Sequence, residues 1–64
     1  MRVWLKDIRK VKGIKQEEVA TSINISRSYY ANIERGGKTP SVSVAKRIAN
    51  YLKFDWTKFF KILN

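Results

Sequence analysis

Between Gln16 and Gly36 the chain carries two helical patterns with almost nothing between them, and no other stretch restricts the fold as tightly. In the first, Val19, Ala20 and Ile23 recur at i, i+1 and i+4, one apolar stripe of a short helix. Asn24-Ile25 interrupts the period. Ser26 then supplies a side chain suited to accept from the free N–H groups that open a second helix. At about 100° per residue, Tyr29, Tyr30 and Ile33 point one way, while Arg27, Ser28, Ala31, Asn32 and Arg35 point the other. That outer face carries two guanidiniums, an amide and a hydroxyl around one small residue, and no acid. It suits the floor of a DNA major groove.

The string from Gln16 to Gly36 resembles the helix-turn-helix of the lambda-repressor-like, or XRE-type, transcriptional regulators. The resemblance runs on through Leu5-x-x-Ile8-Arg9-x-x-x-Gly13-Ile14 on one side, and through Pro40-Ser41 and Lys46-Arg47-Ile48-Ala49 on the other. It covers the chain from Leu5 to Phe60. It implies a compact all-α, five-helix lambda-repressor-like DNA-binding domain, residues 1–64 as one unit, with the helix-turn-helix at 16–35 forming helices 2 and 3.

Composition agrees with a nucleic-acid partner. Fourteen Lys and Arg stand against five Asp and Glu, a net +9 on 64 residues, so polyanions are the expected ligands. At 44% hydrophobic content the chain can close one small core without staples. It contains neither Cys nor His, which removes disulfides, the usual zinc ligands and the commonest catalytic bases and nucleophiles. Glu17 and Glu18 are neighbours on a helix and point apart, so they form no carboxylate dyad. We therefore expect no enzyme activity, metal, cofactor or small-molecule ligand. The apolar runs are too short for a membrane span, and a cytoplasmic protein associated with a bacterial or phage nucleoid is expected.

The flanks extend the pattern. Trp4, Leu5, Ile8 and Val11 are expected on the inner side of a first helix that Gly13 ends in a left-handed conformation. Ser41 should cap a fourth helix, with Val42, Ala45, Ile48, Ala49 and Leu52 inward and Lys46 and Arg47 solvated. Asp55 should cap a last short helix with Trp56, Phe59, Phe60 and Leu63 on one face, more aromatic than closing the core demands. Gly37-Lys38-Thr39 lacks the earlier glycine and the strand of a phosphate-binding loop. A basic loop with free backbone N–H groups beside the DNA backbone is expected instead.

Set beside the family pattern, Lys15 replaces the usual Ser, Thr or Asn cap, Asn24 replaces the commonest glycine of the turn, and Lys53 stands at a helix stop that favours glycine. The resemblance implies an ion pair between Arg9 and Glu34, and a glutamine at Gln16 that bonds the sugar-phosphate backbone. It assigns Arg27, Ser28 and Asn32 to base edges. Lys15, Gln16, Ser26, Tyr29, Arg35 and Lys38 are assigned to phosphates, and Tyr30 to the core. Trp56, Phe60, Ile62 and Leu63 are candidates for a homodimer contact formed at least on DNA. The expected function is a sequence-specific regulator, a repressor that occupies a two-fold symmetric double-stranded operator. One rival is a protein-binding adaptor or anti-repressor on the same scaffold. The other is single-strand binding by stacked aromatics, against which the reader face holds no outward aromatic ring.

Overall fold

The computed structural model describes residues 1–61. The chain forms α1 (Val3–Val11), α2 (Gln16–Ser22), α3 (Arg27–Arg35) and α4 (Val42–Leu52), followed by a 3₁₀ turn over Trp56–Phe60. The expected five-helix domain is thus four α-helices and one tighter turn. Five residues capped by Asp55 are too few for a nucleated α-helix, and the turn takes the i→i+3 geometry instead. Among the described residues no helix is long and apolar enough to cross a membrane.

Two helix starts and all four α-helix stops can be traced to single residues. Ser26 Oγ accepts from Tyr29 N at 3.0 Å and Ser41 Oγ from Val44 N at 3.1 Å, so both hydroxyls cap as their positions imply. The four α-helices stop at four left-handed residues: Gly13 at φ 68°, Asn24 at 62°, Gly36 at 91° and Lys53 at 64°. At each, the next residue's N–H reaches back five positions to a carbonyl of the last turn, as in Ile14 N to Arg9 O at 3.2 Å and Ile25 N to Ala20 O at 3.0 Å.

Leu5, Val19, Tyr30, Ile33, Ile48 and Leu52 are completely buried where the helices meet, with Ala20, Ile23, Val44, Ala45 and Phe59 around them. Two expected core positions fail. Val11 is 87% exposed, because the buried row of α1 runs from Leu5 to Arg9 rather than toward the helix end. Val42 is 49% exposed, since it sits in the first turn of α4 before the helix meets the core, and Val44 packs in its place. A second apolar layer closes the far end: Trp4 stands edge-on to Phe54 and Phe59, with centroids 5.4 and 5.1 Å away. Phe59 is therefore core. Trp56 is half-buried beneath the Lys46 ammonium, 5.0 Å from its ring, and Phe60 is exposed. Leu63 and Ile62 lie outside the described residues.

Candidate nucleic-acid interface

The segment Ile23–Ser26 separates α2 from α3, and Asn24 makes the bend by adopting the left-handed conformation that asparagine tolerates better than most residues. Arg47 completes the corner. Its Nη1 donates to Ile23 O at 2.7 Å, holding a carbonyl at the end of α2, so this side chain does more than dissolve α4.

Behind the outer face of α3 lies a buried polar junction. Arg9 Nε and Nη2 donate to the two carboxylate oxygens of Glu34 at 2.8 and 2.9 Å, a paired fork with both residues buried. Arg9 Nη1 also donates to Ile14 O at 2.8 Å, and Gln16 Nε2 donates to Glu34 Oε1 at 3.1 Å. Residues of α1, α2 and α3 thus meet on one carboxylate. Burial alone would push the Glu34 carboxyl up, but the hydrogen bonds from Arg9 and its other neighbours outweigh it and hold the group below its ordinary value of 4.5. The Glu34 hydrogen bond in turn raises Arg9 against the opposing pull of burial. Burial pushes the Tyr30 phenol up, with the Glu34 carboxylate adding to it. Its hydroxyl faces this pair without meeting hydrogen-bond geometry and is buried with no partner among the described residues.

In front of that junction, Arg27, Ser28 and Arg35 are exposed on α3, and Ala31 and Asn32 are half-buried between them. Lys15 and Arg27 come together with Arg9, Gln16 and Glu17 around one shallow depression. Gln16, Ala31 and Arg35 line the next, with Met1, Lys6, Arg9 and Glu34. Arg27, assigned to bases, thus lies beside Lys15 and Gln16, assigned to phosphates, while Lys38 lies beyond the far end of α3. Tyr29 is half-buried against the core, and Ser26 faces solvent beside it.

Several side chains are less free than their positions suggest. The Gln16 amide is turned into the Glu34 junction, so the group expected on the sugar-phosphate backbone has one partner already. Arg35 Nη2 donates to Asn32 Oδ1, so the oxygen of that amide has one partner already. The loop after α3 is not a set of free donors: Gly36, Gly37 and Lys38 all direct their N–H groups at Asn32 O, at 3.1, 2.9 and 3.3 Å. Lys15 lacks a hydroxyl to accept from the first turn of α2, and half of a reciprocal cap survives in Lys15 N donating to Glu18 Oε1 at 3.2 Å. Arg2 has no signal in the sequence, since its partners lie more than thirty residues away on α3 and the following loop.

No three or more His, Cys, Asp or Glu among the described residues gather where they could hold a metal. The helix-turn-helix family matches residues 5–59. An uncharacterized HTH-type transcriptional regulator of Bacillus subtilis (strain 168), YqaF, is 54% identical over 61 residues, which span 95% of this chain and 80% of that protein. The ImmF control region 10 kDa protein of Bacillus phage phi105 is 41% identical over 51 residues, 80% of this chain and 57% of that protein. The immunity repressor protein of the same phage is 42% identical over 48 residues, 75% of this chain and 33% of that protein. No solved structure matches the chain.

Proposed function

The chain belongs to the helix-turn-helix family and is a DNA-binding transcriptional regulator, and from that premise we propose that it is a repressor acting by occupancy of a double-stranded operator. The observation that carries the proposal is the outer face of α3: acid-free, exposed at Arg27, Ser28 and Arg35, and backed by the rigid Arg9–Glu34–Gln16 junction. A reading helix needs that stiffness, because a contact misplaced by a fraction of an ångström loses its paired hydrogen bonds.

In this reading α3 lies in the major groove. Arg27 at its start, Ser28 beside it and Asn32 one turn on meet base edges. Arginine's two donors suit guanine. Asparagine reads adenine with one donor and one acceptor, and the second lone pair of the Asn32 oxygen serves for this beside the bond from Arg35. Lys15, Gln16, Ser26, Tyr29, Arg35 and Lys38 position the helix on phosphates, with the chain's +9 charge adding attraction for any duplex. Bound there, the protein excludes polymerase or a competing regulator from the same site, in the cytoplasm.

Selection of bound duplexes from a random pool tests this directly. A short enriched motif, repeated with two-fold symmetry, is the expected result. A pool that stays flat, or preferential retention of single strands, contradicts it. A protein-binding adaptor has less support, since among the described residues the exposed large apolar side chains (Met1, Val3, Val11, Val42 and Phe60) are spread over the first residue, α1, α4 and the last turn.

A further inference from the structure

The Gly36-Gly37 pair that follows α3 is the most permissive backbone in the chain, yet the loop is tied down. Beyond the three N–H groups that converge on Asn32 O, the tie comes from Arg2. Its backbone N–H donates to Glu34 O at 2.8 Å, and its Nη1 donates both to Ile33 O and, at 2.9 Å, to Lys38 O. One guanidinium nitrogen thus bridges the last turn of α3 and the root of the Lys38 side chain. Three features fix the bridge. The Arg2 guanidinium lies 5.7 Å from the Phe59 ring centroid. The carbonyl of Arg2 accepts from Leu5 and Lys6 at 3.1 and 3.2 Å, locking the residue to the first turn of α1. Gly36 runs so close to the N-terminal segment that a Cβ on it would stand 3.2 Å from Met1 N. A cation at the carbonyls of a helix's last turn is favourable in itself. Here the same cation also sets where the next loop begins.

We infer that Arg2 is a positioning residue for DNA binding, holding Lys38 in fixed relation to the reader helix so that its ammonium meets a phosphate while α3 lies in the groove. The inference rests on the reading of Lys38 as a phosphate contact. Lysine carries its charge on a flexible four-carbon stem, so what the protein can control is the position of the stem's root. Without Arg2 the root keeps only the long 3.3 Å bond from Lys38 N to Asn32 O, and the remaining ordering must be supplied on binding at an entropic cost.

The test measures the salt dependence of affinity for a short random-sequence duplex, with the full chain and with Arg2→Ala, Arg2→Lys, Lys38→Ala and Arg2→Ala/Lys38→Ala. Thermal unfolding of each variant fixes a temperature at which all are folded; should Arg2→Ala not fold, Arg2→Lys takes its place in the double variant. Lys38→Ala is expected to lower the slope of log affinity against log salt by about one unit. Arg2→Ala should lower it by a similar amount, and the double variant by no more than either single one. Arg2→Lys keeps the charge, but its ammonium ends one bond short of the Nη1 position that reaches both carbonyls, so it should behave like Arg2→Ala. Full retention of the slope by Arg2→Lys would make Arg2 a simple charge and overturn the inference. So would additive losses in the double variant, or an unchanged slope in Arg2→Ala while Lys38→Ala loses its unit. An unchanged slope in Lys38→Ala would instead overturn the phosphate reading of Lys38, and the inference with it.

Discussion

Glu34 shows how much one side chain can hold. Its two oxygens receive Arg9 in a fork and Gln16 beside it, in a place almost closed to water. Removing it strands the Arg9 charge, which costs about 3–5 kcal/mol, comparable with the whole net stability of a domain this size. Glu34→Ala should therefore lose most of its cooperative thermal transition, whereas Asp7→Ala, an exposed charge, should melt as the parent does; equal melting temperatures would refute this. The same carboxylate sets an acid limit. Because its folded value is depressed, its stabilisation is complete above the ordinary 4.5 and fades as pH falls from there through the folded value. Melting temperature should change little from Glu34 between pH 7 and that value, then drop in more acid solution, and Glu34→Gln should lack this component of the drop. Backbone conformation supplies a second test at this scale. Gly13 and Lys53 share the left-handed conformation, and a Cβ at Gly13 meets nothing within 4 Å. Gly13→Ala should cost about 1 kcal/mol by conformation alone, and Lys53→Gly should gain up to about 1 kcal/mol. At roughly 4–8 °C per kcal/mol in a small domain, calorimetry resolves both.

At the scale of elements, what could be read from the sequence was what local physics determines. Ser26, Ser41 and Asp55 cap where a hydroxyl or carboxylate precedes a helical stripe, and Gly13 and Asn24 turn left-handed where the stripes end. Register within a stripe was less secure. Val11 and Val42 continue an apolar pattern, but they fall at helix ends where no neighbouring element covers them. The last segment read as a helix because its aromatics keep helical spacing, which a short 3₁₀ turn also satisfies. Contacts between distant segments left no trace in any local pattern. Arg2 on α3 and the basic loop, Arg47 on Ile23 O, and the three loop N–H groups spent on Asn32 O were invisible for that reason. The start of α2 carries a prediction of its own. Lys15→Ser would complete the reciprocal cap with Glu18 and should stabilise the fold by about 1 kcal/mol. The same change should reduce the salt slope of DNA binding by about one unit, since a phosphate contact is lost. A stabilised variant with an unchanged slope would move Lys15 off the DNA.

The described residues span 33 × 23 × 20 Å, and α3, the one helix proposed to read bases, is enough for only a few base pairs. A two-fold operator with half-sites about 10 base pairs apart, one turn of the duplex, is the arrangement that would give it specificity. Sedimentation with the selected operator should show two chains per duplex, and alanine at Trp56 or Phe60 should weaken that complex more than binding to a half-site. A one-to-one complex on an asymmetric site would exclude the dimer. The central claim is narrower, that α3 reads bases instead of merely being drawn to charge. It is tested by the affinities of Arg27→Ala and Asn32→Ala for the selected operator and for a scrambled duplex at the same salt. A good paired contact discriminates its base by about 1–3 kcal/mol, so operator affinity should fall roughly 5- to 150-fold. Scrambled affinity should fall far less for Arg27→Ala and hardly at all for Asn32→Ala. Equal losses on both duplexes would contradict the account and place these two side chains among the phosphate contacts.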